Sequence, residues 1–139
     1  MAIEYRMDVE GVDWESFKND LIDDDFHNGR TTRQLRLSFE NSAHAVMVWD
    51  GDRVIGSARL LSDGVCNAYV VDMWTQSGYR MRGIGRTMMR MLIDAVTGQH
   101  IYLQADDAAD FYRKLGFVDQ PFGLRYVSGE WLQNDTRDG

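Results

Sequence analysis

Seven residues, Arg80-Met81-Arg82-Gly83-Ile84-Gly85-Arg86, carry the strongest local signal for chemistry in the chain. They follow a strand-like run, 68–75, and open a helix-like run that reaches Val96. Two glycines at such a junction let the backbone approach a ligand closely. The first turn of the helix behind them offers N–H groups without intrahelical partners, at the positive end of the helix dipole. With three arginines in the same turn, the stretch reads as a cradle for phosphate groups. It matches neither common nucleotide motif. Met88 stands where a dinucleotide fingerprint needs its third glycine, and no Gly-Lys-Ser/Thr follows.

A second cluster lies downstream, Ala109-Asp110-Phe111-Tyr112-Arg113-Lys114-Leu115-Gly116-Phe117. Its tyrosine can donate a proton, and it can equally be a packing residue beside Phe111. Other chemistries find less support. His27, His44 and His100 have no ligand-like spacing with one another or with Cys66, so no metal is expected. Cys66 has no neighbour that would activate a thiol.

The elements that must position these clusters can be read from periodicity. Ala2 to Val9 alternates weakly as a first strand. Asp13 is placed to cap a helix with Trp14, Phe17, Leu21 and Ile22 on one face. The acidic run Asp23-Asp24-Asp25 reads as solvated, or as an attraction for amines. Thr31 or Thr32 caps a second helix carrying Leu35 and Phe39, although 35, 37 and 39 also fit a strand period. Runs 45–49, 53–61 and 65–75 are strand-like and are separated by Asp50-Gly51 and Asp63-Gly64 turns, which gives an antiparallel meander. After the glycine turn, Ile84, Met88, Met91, Leu92 and Ala95 recur at helical spacing and Gly98 stops the helix. Ile101-Tyr102-Leu103 is a short buried strand. Asp106 or Asp107 caps a last helix, and 117–118 and 124–127 form two final strands around Pro121. The tail from about 133 is polar, and residues 1–139 are expected to form one domain.

The totals agree with a globular enzyme or binding module. Hydrophobic residues make up 44% of the 139, and the formal net charge is -7. That balance argues against general nucleic-acid binding, which needs a basic face. A single cysteine fits a reducing compartment. No apolar run is long enough to span a bilayer and the N-terminus lacks a signal-type apolar core, so no membrane association and a cytoplasmic location are expected.

In order and context, the two clusters resemble the GNAT superfamily of acyl-CoA-dependent N-acetyltransferases. The family's Gln/Arg-x-x-Gly-x-Gly/Ala motif is matched by Arg80 to Gly85, with the usual tyrosine before it at Tyr79. Its Ala-x-x-Phe/Leu-Tyr-x-Lys-Leu-Gly-Phe landmark is matched by Ala109 to Phe117. The resemblance covers roughly 43–127. It implies an α/β (α+β) fold with a mixed, mainly antiparallel sheet of six or seven strands and about four helices. It also implies acetyl-CoA as co-substrate, transfer of acetyl to a primary amine by direct attack, and an acceptor that is a small molecule or a peptide. The pyrophosphate would sit on Arg80, Met81, Arg82, Gly83, Ile84, Gly85 and Arg86, and the pantetheine arm on the backbone of Met73, Trp74 and Thr75. Backbone N–H groups near Thr75 would stabilise the oxyanion. Tyr112 would protonate the leaving thiolate.

Asp72 is the nearest acidic candidate for the base, since Tyr69 stands where some members carry a glutamate. Strand alternation sets Asp72 opposite Tyr69 and Met73. Aspartate at 106 replaces an asparagine common in the family, and Thr75-Gln76-Ser77-Gly78 replaces its Val-x-Pro. The acceptor cleft is expected between the loop 23–29 and the turn 121–124. A homodimer is carried over from the family alone. The alternatives are a catalytically silent acyl-CoA-binding sensor or interaction module, and a nucleotide-binding regulator.

Overall fold

The computed structural model describes residues 2–132. The elements run β1 Ile3–Arg6, α1 Trp14–Asp23, α2 Thr32–Glu40, β2 His44–Asp50, β3 Arg53–Ser62, β4 Asn67–Thr75, a 3-10 turn Ser77–Tyr79, α3 Ile84–Ala95, β5 His100–Tyr102 and α4 Ala109–Lys114. The sheet order is β1-β2-β3-β4-β5. The first three pairings are antiparallel and the β4–β5 pairing is parallel. The expected α/β class, mixed sheet and four helices are present.

The strand count differs from expectation. Five strands occur among the described residues, and 117–118 and 124–127 run without strand pairing. Their alternation fits a strand, but a strand needs a hydrogen-bonded neighbour. Phe122, Leu124 and Tyr126 instead stay more than nine-tenths exposed. The polar tail lies outside the described residues.

Local signals explain the helices. Asp13 accepts from the Ser16 N–H and caps α1. Thr31 and Gln34 form a reciprocal capping box, which settles the ambiguous 35/37/39 pattern as helix. Phe17 and Leu21 of α1 meet Leu35 and Phe39 of α2 over one face of the sheet, against Ala45, Met47, Trp49, Val54 and Trp74. Ile22, expected on that face, is exposed. The other face carries α3 through Ile84, Met88, Met89 and Leu92, against Val46, Val48, Ile55, Ala58 and Leu60. α4 starts later than Asp106 or Asp107 would place it, with Ala108 at its cap and no side-chain cap bond. β5 is a half-exposed edge, not a buried strand.

One glycine sets how α3 docks. A Cβ on Gly56 of β3 would lie 3.3 Å from Ile84 Cγ2 and 3.3 Å from Val48 Cβ. The first residue of α3 therefore sits directly on the sheet at Gly56. Gly56→Val, despite valine's better strand propensity, is expected to cost about 1–3 kcal/mol through overpacking. Urea unfolding reads this, and an unchanged midpoint would contradict the seat.

Candidate active site

β4 changes face partway along. Val71 pairs with Arg59 and Trp74 with Ser57, so Asp72 and Met73 together oppose Ala58. This is a β-bulge, and Asp72 adopts φ +57° within it. Before the bulge, Ala68 and Val70 face α3. After it, Met73 packs on the α3 side and Trp74 on the α1/α2 side. Asp72 thereby reaches α2's side of the sheet, where simple alternation from Val70 would not put it. The expected placement opposite Tyr69 fails for this reason.

Two arginines meet Asp72 there. Arg30 Nη1 and Arg59 Nε both donate to Asp72 Oδ2, each at 2.6 Å. The side chains of Arg30, Asp72 and Arg59 are 6%, 10% and 16% exposed. Arg59 also donates to the Ser38 carbonyl at 3.4 Å, and its guanidinium lies 5.8 Å over the Phe39 ring. Sequence reasoning did not single out Arg30 or Arg59. The available signal was Arg59, a charge in the middle of a strand flanked by buried positions.

Past the bulge, β4 has no neighbour on one side among the described residues. β5 pairs only with Asn67, Ala68 and Tyr69. Val70 to Met73 instead line a cavity of about 580 Å³ whose far wall includes Leu103, Gln104 and Tyr112. Tyr112 also borders a second cavity of about 570 Å³, lined by Phe117 and Pro121 to Gly123. The loop side, through Phe26 and Asn28, lines the first cavity and the turn at 121–123 the second. The two halves of the expected acceptor cleft thus line different cavities, both bordered by Tyr112. Its ring makes edge contacts with Phe111 and Phe117, and its hydroxyl has no hydrogen-bond partner among the described residues. Burial pushes the phenol above the usual tyrosine range.

The mouth of α3 is open. Gly83 precedes the helix at φ +81°, Met81 is at φ +65°, and a Cβ on Gly83 would meet nothing within 4 Å. The Thr87 N–H to Gly83 carbonyl bond is the first of the helix, so the N–H groups of Ile84, Gly85 and Arg86 have no intrahelical partner. A Cβ on Gly85 would lie 3.3 Å from Phe111 Cζ. The two sequence clusters therefore touch, and Tyr112 is anchored one residue from that contact.

The arginines divide. Arg80 Nε donates to the Thr75 carbonyl at 3.0 Å, and its Nη2 lies 3.7 Å from Asp24. Arg82 lies 5.4 Å over the Tyr79 ring, and Arg86 is exposed on the first turn. Asp24, expected to be solvated, is a hub. Its Oδ2 accepts from the Trp74 indole at 2.9 Å and from the Ser77 N–H at 3.1 Å. The Trp74 side chain is thus committed to the α1/α2 core, which leaves only its backbone for a ligand. Among the described residues no group of His, Cys, Asp and Glu has metal-site geometry, and no helix is long and apolar enough to cross a membrane. Cys66 is exposed, and its hydrogen bond with Asp63 pushes the thiol up, the opposite of activation.

Known proteins share this fold. The model of the acetyltransferase (GNAT) family matches residues 8–117, and the chain belongs to that family. It is 36% identical over 77 residues to the histone acetyltransferase TAP1 of Glycine max, covering 52% of this chain and 33% of that protein. It is 32% identical over 104 residues to the uncharacterized N-acetyltransferase ycf52 of Porphyra purpurea, covering 69% of this chain and 60% of that one. The chain thus spans between 33% and 60% of the length of these two relatives. A GNAT-family acetyltransferase of Streptococcus pneumoniae TIGR4 superposes with a TM-score of 0.74 at 23% identity, over 93% of this chain and 98% of that one. That likeness concerns the fold.

Two substitutions test the scaffold of the site. Asp72→Ala leaves two buried guanidinium groups without their carboxylate and is expected to cost about 3–5 kcal/mol in denaturant unfolding. Asp24→Ala leaves the indole and Ser77 N–H groups unpaired and is expected to cost about 1–3 kcal/mol. Wild-type stability in either variant would contradict these hubs.

Proposed function

We propose that this chain is one catalytic domain that transfers an acetyl group from acetyl-CoA to a primary amine, both held in a ternary complex. The observation that carries the reading is a phenol that lines one cavity with the β4 edge and follows Phe111, which packs against Gly85 at the open mouth of α3. The bound thioester supplies the acyl group and a thiolate leaving group. The N–H groups of Ile84, Gly85 and Arg86 hold the pyrophosphate, with Arg86 adding charge at the rim. The fit rests on those unpaired donors and on the open space above Gly83. Arg80 and Arg82 act differently from the simple phosphate-binding expectation. Arg80 steadies the turn through Thr75 and Asp24, and Arg82 lies against Tyr79.

The unpaired β4 edge at Met73, Trp74 and Thr75 receives the pantetheine arm by strand-like backbone bonds. A backbone N–H near Thr75 receives the developing oxyanion. Tyr112 donates its proton at the sulphur, and burial keeps that phenol protonated at neutral pH. Asp72 serves in this reading as a positioning residue. Its Oδ2 is already taken by Arg30 and Arg59, so removal of the amine proton falls to water in the cavity.

Tyr112→Phe is expected to lower kcat by about 10²–10⁴ while calorimetry shows CoA affinity retained. A silent CoA-binding module would show no turnover in wild type either. Because the phenol's proton affinity is raised, its donor role is present below its titration and is lost as pH rises through it. The alkaline fall in kcat should therefore lie above pH ~10, the ordinary tyrosine value. It should be absent from the residual rate of Tyr112→Phe. An equal rate in the variant would end the assignment. In a thermal-shift panel CoA and acetyl-CoA should raise Tm where ATP and NAD do not.

A further inference from the structure

The cavity beside the β4 edge is not electrically neutral at its inner wall. Arg30, Arg59 and Asp72 all line it. Among the described residues, two guanidinium groups share one carboxylate in that cluster, an excess of one positive charge within it. Buried charge of this kind acts strongly across a low-dielectric wall.

Arg30 also keeps donors in reserve. Its Nε is used by the His27 carbonyl at 3.1 Å, and its Nη1 by Asp72 at 2.6 Å and by Ser38 Oγ at 3.5 Å. Its Nη2 is buried and has no partner among the described residues. An unpaired charged donor in a side chain only 6% exposed is costly, and native structures rarely leave one unmet. A water molecule could satisfy the hydrogen bonds but would not cancel the excess charge. An anionic oxygen does both.

Another part of the lining has the other sign. Asp106 and Asp107 line the same cavity, both exposed, on the segment that leads into α4 and Tyr112. A ligand with a cationic amine at the Tyr112 end and an anion at the Arg30 end would match both walls. The proposal rests on the acetyltransferase reading and narrows its acceptor. We propose that the acceptor carries, besides its primary amine, an anionic group, carboxylate or phosphate, which Arg30 receives at the inner wall of this cavity.

Matched probe pairs test this directly. α-Amino acids would be compared with their amides, and O-phosphoethanolamine with ethanolamine. Each would be titrated calorimetrically into the CoA-saturated protein. In at least one series the anionic member should bind about ten- to hundredfold more tightly, the worth of one or two hydrogen bonds to a charged group. The series that responds identifies carboxylate or phosphate. Arg30→Gln should reduce the preference to below about threefold, and its CoA titration reports whether the fold survives. Arg30→Lys keeps a cation against Asp72 but loses the spare donor, and should lower the preference by about tenfold. Absence of a preference in every pair, or a preference that survives both variants, would overturn the proposal. Thiol release from acetyl-CoA with the same probes separates the two readings. Anion-selective binding without release would sink the transferase and leave the Arg30 site standing. Release without anion selectivity would do the reverse.

Discussion

The site depends on one carboxylate shared by two guanidinium groups. Asp72 sits at φ +57°, a conformation that costs a non-glycine residue about 1–3 kcal/mol. It persists because Arg30 and Arg59 hold its Oδ2 from α2's side of the sheet. That grip fixes the bulge, and the bulge reverses which side of β4 each later residue faces. Met73 turns toward α3, Trp74 is buried against Phe17, and the strand's outer edge continues without a partner among the described residues. An open edge is normally a liability. Here it lies within a groove, bounded by the 103–108 segment and by Tyr112.

The rest of the fold brings other groups to that edge. Gly56 lets the first residue of α3 sit on the sheet, so the helix mouth opens close to Thr75. Gly85 lets Phe111 approach α3, and Tyr112 follows Phe111 on α4. Asp24 ties the end of α1 to Trp74 and Ser77 and so steadies the turn between β4 and the mouth. Each of these contacts joins elements far apart in sequence. They are made by small residues or by buried polar ones, where a change of one atom is felt.

This division decides what the sequence could reveal. Short-range devices were legible: the glycines at 83 and 85, the Ala109-to-Phe117 cluster, the Asp13 cap and the hairpin turns. Each is fixed by residues within a few positions of one another. The capping box of Thr31 and Gln34 was equally local, and it decides α2 where the 35/37/39 spacing could not. The bulge was not legible, because it arises from the register between β3 and β4, and alternation assigned Asp72 to the wrong face. Asp24 and Arg30 look like surface charges until the chain folds over them. The segment after Phe117 shows the converse case, a strand-like alternation that finds no neighbour among the described residues.

The central claim is that the bulged edge of β4 and the mouth of α3 together hold one extended thioester carrier. Backbone amide hydrogen exchange, followed residue by residue by NMR with and without saturating CoA, tests it most directly. The account predicts slowed exchange at two separated stretches, 73–75 and 84–86, with β1 and β2 unchanged. Protection at neither stretch, or at the helix mouth alone with the strand edge still exchanging freely, would contradict it.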